Sequence, residues 1–101
     1  MAFVRVAKVG DVPVGEIREV EAGGKAIALA NVGGRFHAID NACLHHGGPL
    51  GEGTMEGTVV TCPWHGWQFD VVTGNNPVSP GMAVACFAVE VKGDEVFVDL
   101  G

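Results

Sequence analysis

Two Gly-Gly pairs, Gly23-Gly24 and Gly33-Gly34, divide the first part of this chain into short segments. Glycine pairs supply the two positive φ angles of a tight turn whose twist suits antiparallel strands. The runs around the second pair are apolar. Lys25-Ala-Ile-Ala-Leu-Ala-Asn31 sets Ile27 and Leu29 on one face and small alanines on the other, and Arg35-Phe-His-Ala-Ile39 carries Phe36 and Ile39. This pattern predicts a β-hairpin. A strand near residues 15–21 precedes Gly23-Gly24. At the far end, Ala85, Phe87, Val89 and Val91 share one strand face with Glu90 and Lys92 opposite, and Gly93-Asp94 turns the chain into Val96–Leu100. With sixteen glycines, five prolines and no long stretch of period 3.6, the expectation is an antiparallel all-β body.

At 101 residues the chain is one domain's length, and 48% hydrophobic against 18% charged residues excludes disorder. Six basic against twelve acidic residues leave a net charge of −6. Nucleic acid and anionic membrane are therefore poor partners, and basic protein surfaces good ones. The longest apolar stretch, Met82–Val89, is far short of the roughly 20 residues of a membrane span. Residues 1–6 lack a basic start followed by an apolar run, so no signal peptide is expected. Three cysteines, an odd number, argue against a disulfide scaffold and for a reducing, cytoplasmic setting.

Residues 41–82 differ from the flanks. They hold both tryptophans, two of the three cysteines and three of the four histidines, with strand pattern only at Thr58–Thr61 and Trp67–Val72. Such a loop-rich stretch in a small domain points to function. Two clusters stand out, Cys43-Leu44-His45 and Cys62-Pro63-Trp64-His65, with sixteen residues between His45 and Cys62. Gly47, Gly48, Gly51, Gly53 and Gly66 let the backbone wrap closely and aim N–H groups inward, as a cluster with charged sulfides requires. The candidate ligands are Cys43, His45, Cys62 and His65. Zinc would take all four on one tetrahedral ion. A Rieske-type [2Fe–2S] cluster would take two Cys on one iron and two His on the other. Zinc sites segregate Cys pairs from His pairs, whereas each loop here carries one of each, which a two-iron cluster gripped between two loops explains.

The segments Cys43-Leu-His-His-Gly-Gly-Pro-Leu50, Cys62-Pro-Trp-His-Gly-Trp-Gln-Phe-Asp70 and Thr73-Gly74 resemble the Rieske ferredoxin family, and the likeness spans the chain. The resemblance implies a Rieske fold: an antiparallel base (1–40 and 74–101) with a small cluster-binding subdomain (41–73) inserted in it. It implies that Cys43 and Cys62 bind the inner iron and His45 and His65 the outer one. Asn75–Gly81 is similar to the proline-containing loop that covers the cluster from a third side. The implied activity is one-electron transport rather than catalysis, with a flavin-containing NAD(P)H-dependent reductase as donor and an aromatic-ring oxygenase as acceptor. A Rieske-like small subunit of NAD(P)H nitrite reductase, or a zinc-stabilised interaction module, are the alternatives. Rieske domains of cytochrome bc complexes carry a disulfide where Gly48 and Trp64 stand here, and Ser and Tyr hydroxyls where Trp67 and Phe69 stand. Without those donors to sulfur, the potential is expected at the low end of about −150 to +300 mV.

Other residues carry plainer expectations. His46 would copy the spacing of the second loop as a ligand, but the family pattern favours His45 and leaves His46 a polar loop residue. His37 is expected to be exposed, opposite Phe36. Cys86, alternating with Val84 and Ala88, reads as a small buried hydrophobe. Trp64 and Trp67 read as packing over the cluster, docking a partner, or both. Glu52, Glu56, Asp70 and Glu90 read as solvated surface or an acidic docking patch.

Overall fold

The computed structural model describes residues 3–43, 47–64, 66–79 and 81–100. Ten strands are formed among them: β1 (Phe3–Lys8), β2 (Ile17–Ala22), β3 (Lys25–Val32), β4 (Arg35–Asp40), β5 (Thr54–Glu56), β6 (Val59–Thr61), β7 (Gln68–Asp70), β8 (Cys86–Phe87), β9 (Val89–Lys92) and β10 (Glu95–Asp99). They build three antiparallel sheets in the orders β1-β10-β9, β2-β3-β4-β8 and β5-β6-β7. The all-β class and both glycine-pair hairpins expected from the sequence are present. Gly33 and Gly34 have φ of 61° and 96° and join Val32 to its partner Arg35.

The middle sheet is buried on both faces, and the alternation in β3 says why. Ile27 and Leu29 enter one core with Phe36, Ala38, Val96 and Val98, between the middle sheet and the β1-β10-β9 sheet. Ala28 and Ala30 face the other way, into a second core with Ile39, Leu50, Val60 and Phe69. Phe36 and Ile39, on opposite faces of β4, therefore serve different cores. Alanines leave room for the β5-β6-β7 unit to approach, and its bulky Phe69 and Val60 fill the space at 0% exposure. Burying each such side chain contributes about 1.5–3 kcal/mol.

Three features differ from the sequence reading. The run 85–91 is divided between two sheets. Ala85 O accepts from Asp40 N–H at 2.9 Å, whereas Ala88 O accepts from Asp99 N–H at 2.9 Å, so the chain changes partner near Ala88. Val91 ends 45% exposed rather than sharing a buried face. β1 was not expected, because its strand character is completed only by pairing with β10 at the opposite end of the chain. β5 is three residues long, and Met55 faces Val60 across a short hairpin that alternation alone does not reveal. No helix among the described residues is long and apolar enough to cross a membrane.

Candidate metal centre

Cys43 and Cys62 each open a loop closed by the same two backbone hydrogen bonds. Cys43 N–H donates to Gly48 O at 2.9 Å, and Gly47 N–H donates to Cys43 O at 2.9 Å. In the second loop, Cys62 N–H donates to Trp67 O at 2.7 Å and Gly66 N–H donates to Cys62 O at 3.1 Å. The acceptor lies five residues after each cysteine and the returning donor four. Gly47 and Gly66, with φ of 69° and 76°, occupy the left-handed region that this closure uses and that side chains disfavour. The two cysteines are thus held by one backbone design.

The first loop is fastened to the base by Asn41, a buried side chain whose Oδ1 accepts from Gly51 N–H at 2.7 Å. Its carbonyl takes Leu50 N–H at 2.8 Å, and Leu50 itself is fully buried. A Cβ on Gly51 would lie 2.5 Å from Glu19 N and 2.8 Å from Asn41 Oδ1, so the glycine permits this contact with β2. Sequence reasoning passed over Asn41; its one local signal was a short amide side chain just after an apolar strand. The second loop joins β6 to β7, where Thr61 pairs with Gln68. Beside it run residues 75–79, in which Asn76 Oδ1 accepts from Val78 N–H at 2.8 Å and Ser79 N–H at 2.9 Å. A cleft of about 280 Å³ separates the two, lined by Gly66, Trp67, Gln68, Asn76, Val78 and Met82 among others.

Cys43 and Cys62 are 3% and 2% exposed and belong to the same core as Leu50, Val60 and Phe69. Neither is in a disulfide, nor is Cys86. Thiolates are soft ligands of the kind that hold iron–sulfur clusters, and two of them brought into one dry core fit such a cluster. His45, His65 and the alternative His46 lie outside the described residues, as does Leu44. Among the described residues no group of three His, Cys, Asp or Glu side chains gathers at one point. Gly48 is buried between the loops: a Cβ placed on it would lie 2.6 Å from Cys62 Sγ and 3.2 Å from Cγ and Cδ2 of Trp64.

The two tryptophans divide their roles. Trp67 packs partly buried against the core that holds the cysteines, whereas Trp64 is 56% exposed. Asp70 is not a free surface acid. Its carboxylate accepts from Thr58 Oγ1 at 3.0 Å and from Val72 N–H at 2.8 Å. Glu52 and Glu56 are exposed and Glu90 is half-buried. Cys86 is exposed instead of buried, because β8 is a two-residue edge strand with β4 on one side only. Partial burial, with Asp70 adding to it, still raises its thiol pKa. His37 is half-buried instead of exposed. Burial and then Arg35 lower its pKa, against an upward pull from Asp70.

Residues 2–88 match the Rieske [2Fe-2S] domain. The chain is 40% identical over 98 residues to ferredoxin CarAc of Metapseudomonas resinovorans, covering 95% of this chain and 92% of that protein. It is 38% identical over 101 residues to the ferredoxin component of biphenyl 2,3-dioxygenase of Rhodococcus jostii (strain RHA1), covering 99% and 94%. Among solved structures, it superposes on a chain of the complex of reduced oxygenase and oxidized ferredoxin in carbazole 1,9a-dioxygenase. The TM-score is 0.85 at 39% identity, with 95% and 91% coverage. Fold, loop chemistry and sequence agree: the chain belongs to the Rieske [2Fe-2S] domain family and carries a single Rieske-type [2Fe-2S] cluster.

Proposed function

We propose that this chain is a one-electron carrier, taking electrons from a flavin-containing NAD(P)H-dependent reductase and passing them to an aromatic-ring oxygenase. The observation that carries this reading is the pair of buried cysteines in matched loops, within a chain that aligns nearly end to end with ferredoxin components of dioxygenase systems. Cys43, His45, Cys62 and His65 are the ligands of the proposal, within a cluster-binding subdomain (41–73) carried on a base (1–40 and 74–101). When bound, the cluster accepts and releases one electron; the chain holds the sulfurs dry and supplies the docking surface. The net charge of −6 suits partners that are basic around their redox centres. The protein acts as a component of an oxidoreductase system rather than as a catalyst, in the reducing setting of the cytoplasm.

The test is reconstitution. Purified holoprotein mixed with such a reductase, NAD(P)H and an aromatic-ring oxygenase is expected to be reduced by the first and reoxidised by the second, with hydroxylated product formed only when all are present. Product formation at the same rate without this chain would contradict the reading. Rates are expected to fall with salt, as screening shortens to about 3 Å at 1 M.

A further inference from the structure

Trp64 and Gly48 stand on different cluster loops, yet the space a side chain at 48 would fill is taken by the Trp64 indole and the Cys62 sulfur. The ideal Cβ of residue 48 falls 3.2 Å from Cγ and Cδ2 of the ring, inside ordinary van der Waals contact, and 2.6 Å from Cys62 Sγ. Gly48 is buried and Cys62 is 2% exposed, while Trp64 keeps 56% of its own surface in water. The ring therefore lies at the boundary, with one part in solvent and another against the glycine beside the sulfur. We propose that the Trp64 indole, seated on Gly48, is a non-covalent clasp across the two cluster loops that seals the Cys62 sulfur from water, and so sets the lifetime and potential of the bound cluster.

The physical consequence has a fixed sign. Reduction adds negative charge to the cluster, and water near a ligand sulfur solvates the more negative state better. Opening the clasp therefore favours the reduced form and raises the potential. Water and oxidants reaching the sulfur also shorten the cluster's life. Trp64 is a positioning residue in this role, acting through Cys62 and Gly48. The proposal rests on Cys62 being a ligand, so its test carries a separate arm for that assignment.

The experiment compares holoproteins of the parent, Trp64→Ala, Trp64→Phe and Cys62→Ala by voltammetry and by the decay of visible absorbance in aerated buffer. Trp64→Ala is expected to lose its cluster at least fivefold faster. Its reduction equilibrium should move severalfold toward the reduced form, where tenfold corresponds to about 59 mV for one electron. Trp64→Phe, which keeps a flat ring on the glycine, should stay within twofold of the parent in both. A Trp64→Ala protein that cannot be isolated with a cluster, beside a Trp64→Phe protein of parental lifetime, also supports the clasp. Parental lifetime and potential in Trp64→Ala overturn it, as does a Trp64→Phe protein no better than Trp64→Ala. Cys62→Ala is expected to hold no cluster. A retained cluster there overturns the ligand assignment, and the clasp with it.

Discussion

Thr58 Oγ1 donates a 3.0 Å hydrogen bond to Asp70 Oδ2, tying the turn before β6 to the end of β7. The other carboxylate oxygen accepts from Val72 N–H at 2.8 Å, so one side chain fixes both the hairpin and the turn that follows β7. Thr58→Val removes one bond and is expected to cost about 0.5–1.5 kcal/mol. Asp70→Ala removes both and should cost more. Denaturant unfolding of the three proteins checks the order; equal stability of all three would show that the carboxylate is merely solvated.

Gly51 and Gly10 separate packing from composition. A Cβ on Gly51 would meet backbone of β2 at 2.5 Å, whereas one on Gly10 would meet nothing within 4 Å. Gly51→Ala is expected to destabilise by about 1–3 kcal/mol, as overpacking against fixed atoms does. Gly10→Ala should leave stability within about 0.5 kcal/mol. Paired thermal melts decide, and equal melting temperatures would contradict the close approach.

The lowered pKa of His37 predicts a direction in pH. Burial, then Arg35, disfavour its protonation in the folded chain relative to the ordinary histidine value of 6.5. The unfolded chain thus binds the proton first. The associated stability is complete above pH 6.5 and is lost as pH falls from there through the lower folded value. His37→Gln should therefore lose less stability than the parent between pH 7.5 and 5.5. An identical decline in both proteins would remove His37 from the account.

Cys86 is exposed, but its thiol is held above the ordinary range, chiefly by partial burial and further by Asp70. Iodoacetamide should label it slowly at pH 7 and faster as pH rises, because the thiolate is the nucleophile. Cys86→Ala should leave the visible spectrum of the holoprotein unchanged. Loss of colour in that variant would mean that Cys86 holds iron.

The strands most legible in the sequence were those bounded by glycine turns, because a local dihedral requirement is written in adjacent residues. Gly33-Gly34 located the β3–β4 hairpin to within a residue or two. What escaped depends on distant partners. β1 is a strand because β10 lies beside it, and the change of sheet near Ala88 follows from Asp40 N–H taking the Ala85 carbonyl while Asp99 N–H takes that of Ala88. At the site, Cys43 and Cys62 were legible as chemistry, since each stands with a histidine on a glycine-rich loop, a combination that points to a metal. Asn41 and Asp70 were not, because an amide or carboxylate that serves backbone N–H groups looks like surface until the loop it closes is folded.

The central claim is that a mixed set, Cys43, His45, Cys62 and His65, holds the cluster through which this chain carries electrons. Pulsed electron paramagnetic resonance on the reduced holoprotein, with histidine labelled by nitrogen-15, tests it most directly. The account predicts coupling from two histidine nitrogens in the parent and in His46→Ala, with His45→Ala and His65→Ala each losing the paired signal. An absence of histidine coupling, or a paired signal that survives His45→Ala and disappears in His46→Ala, would contradict it.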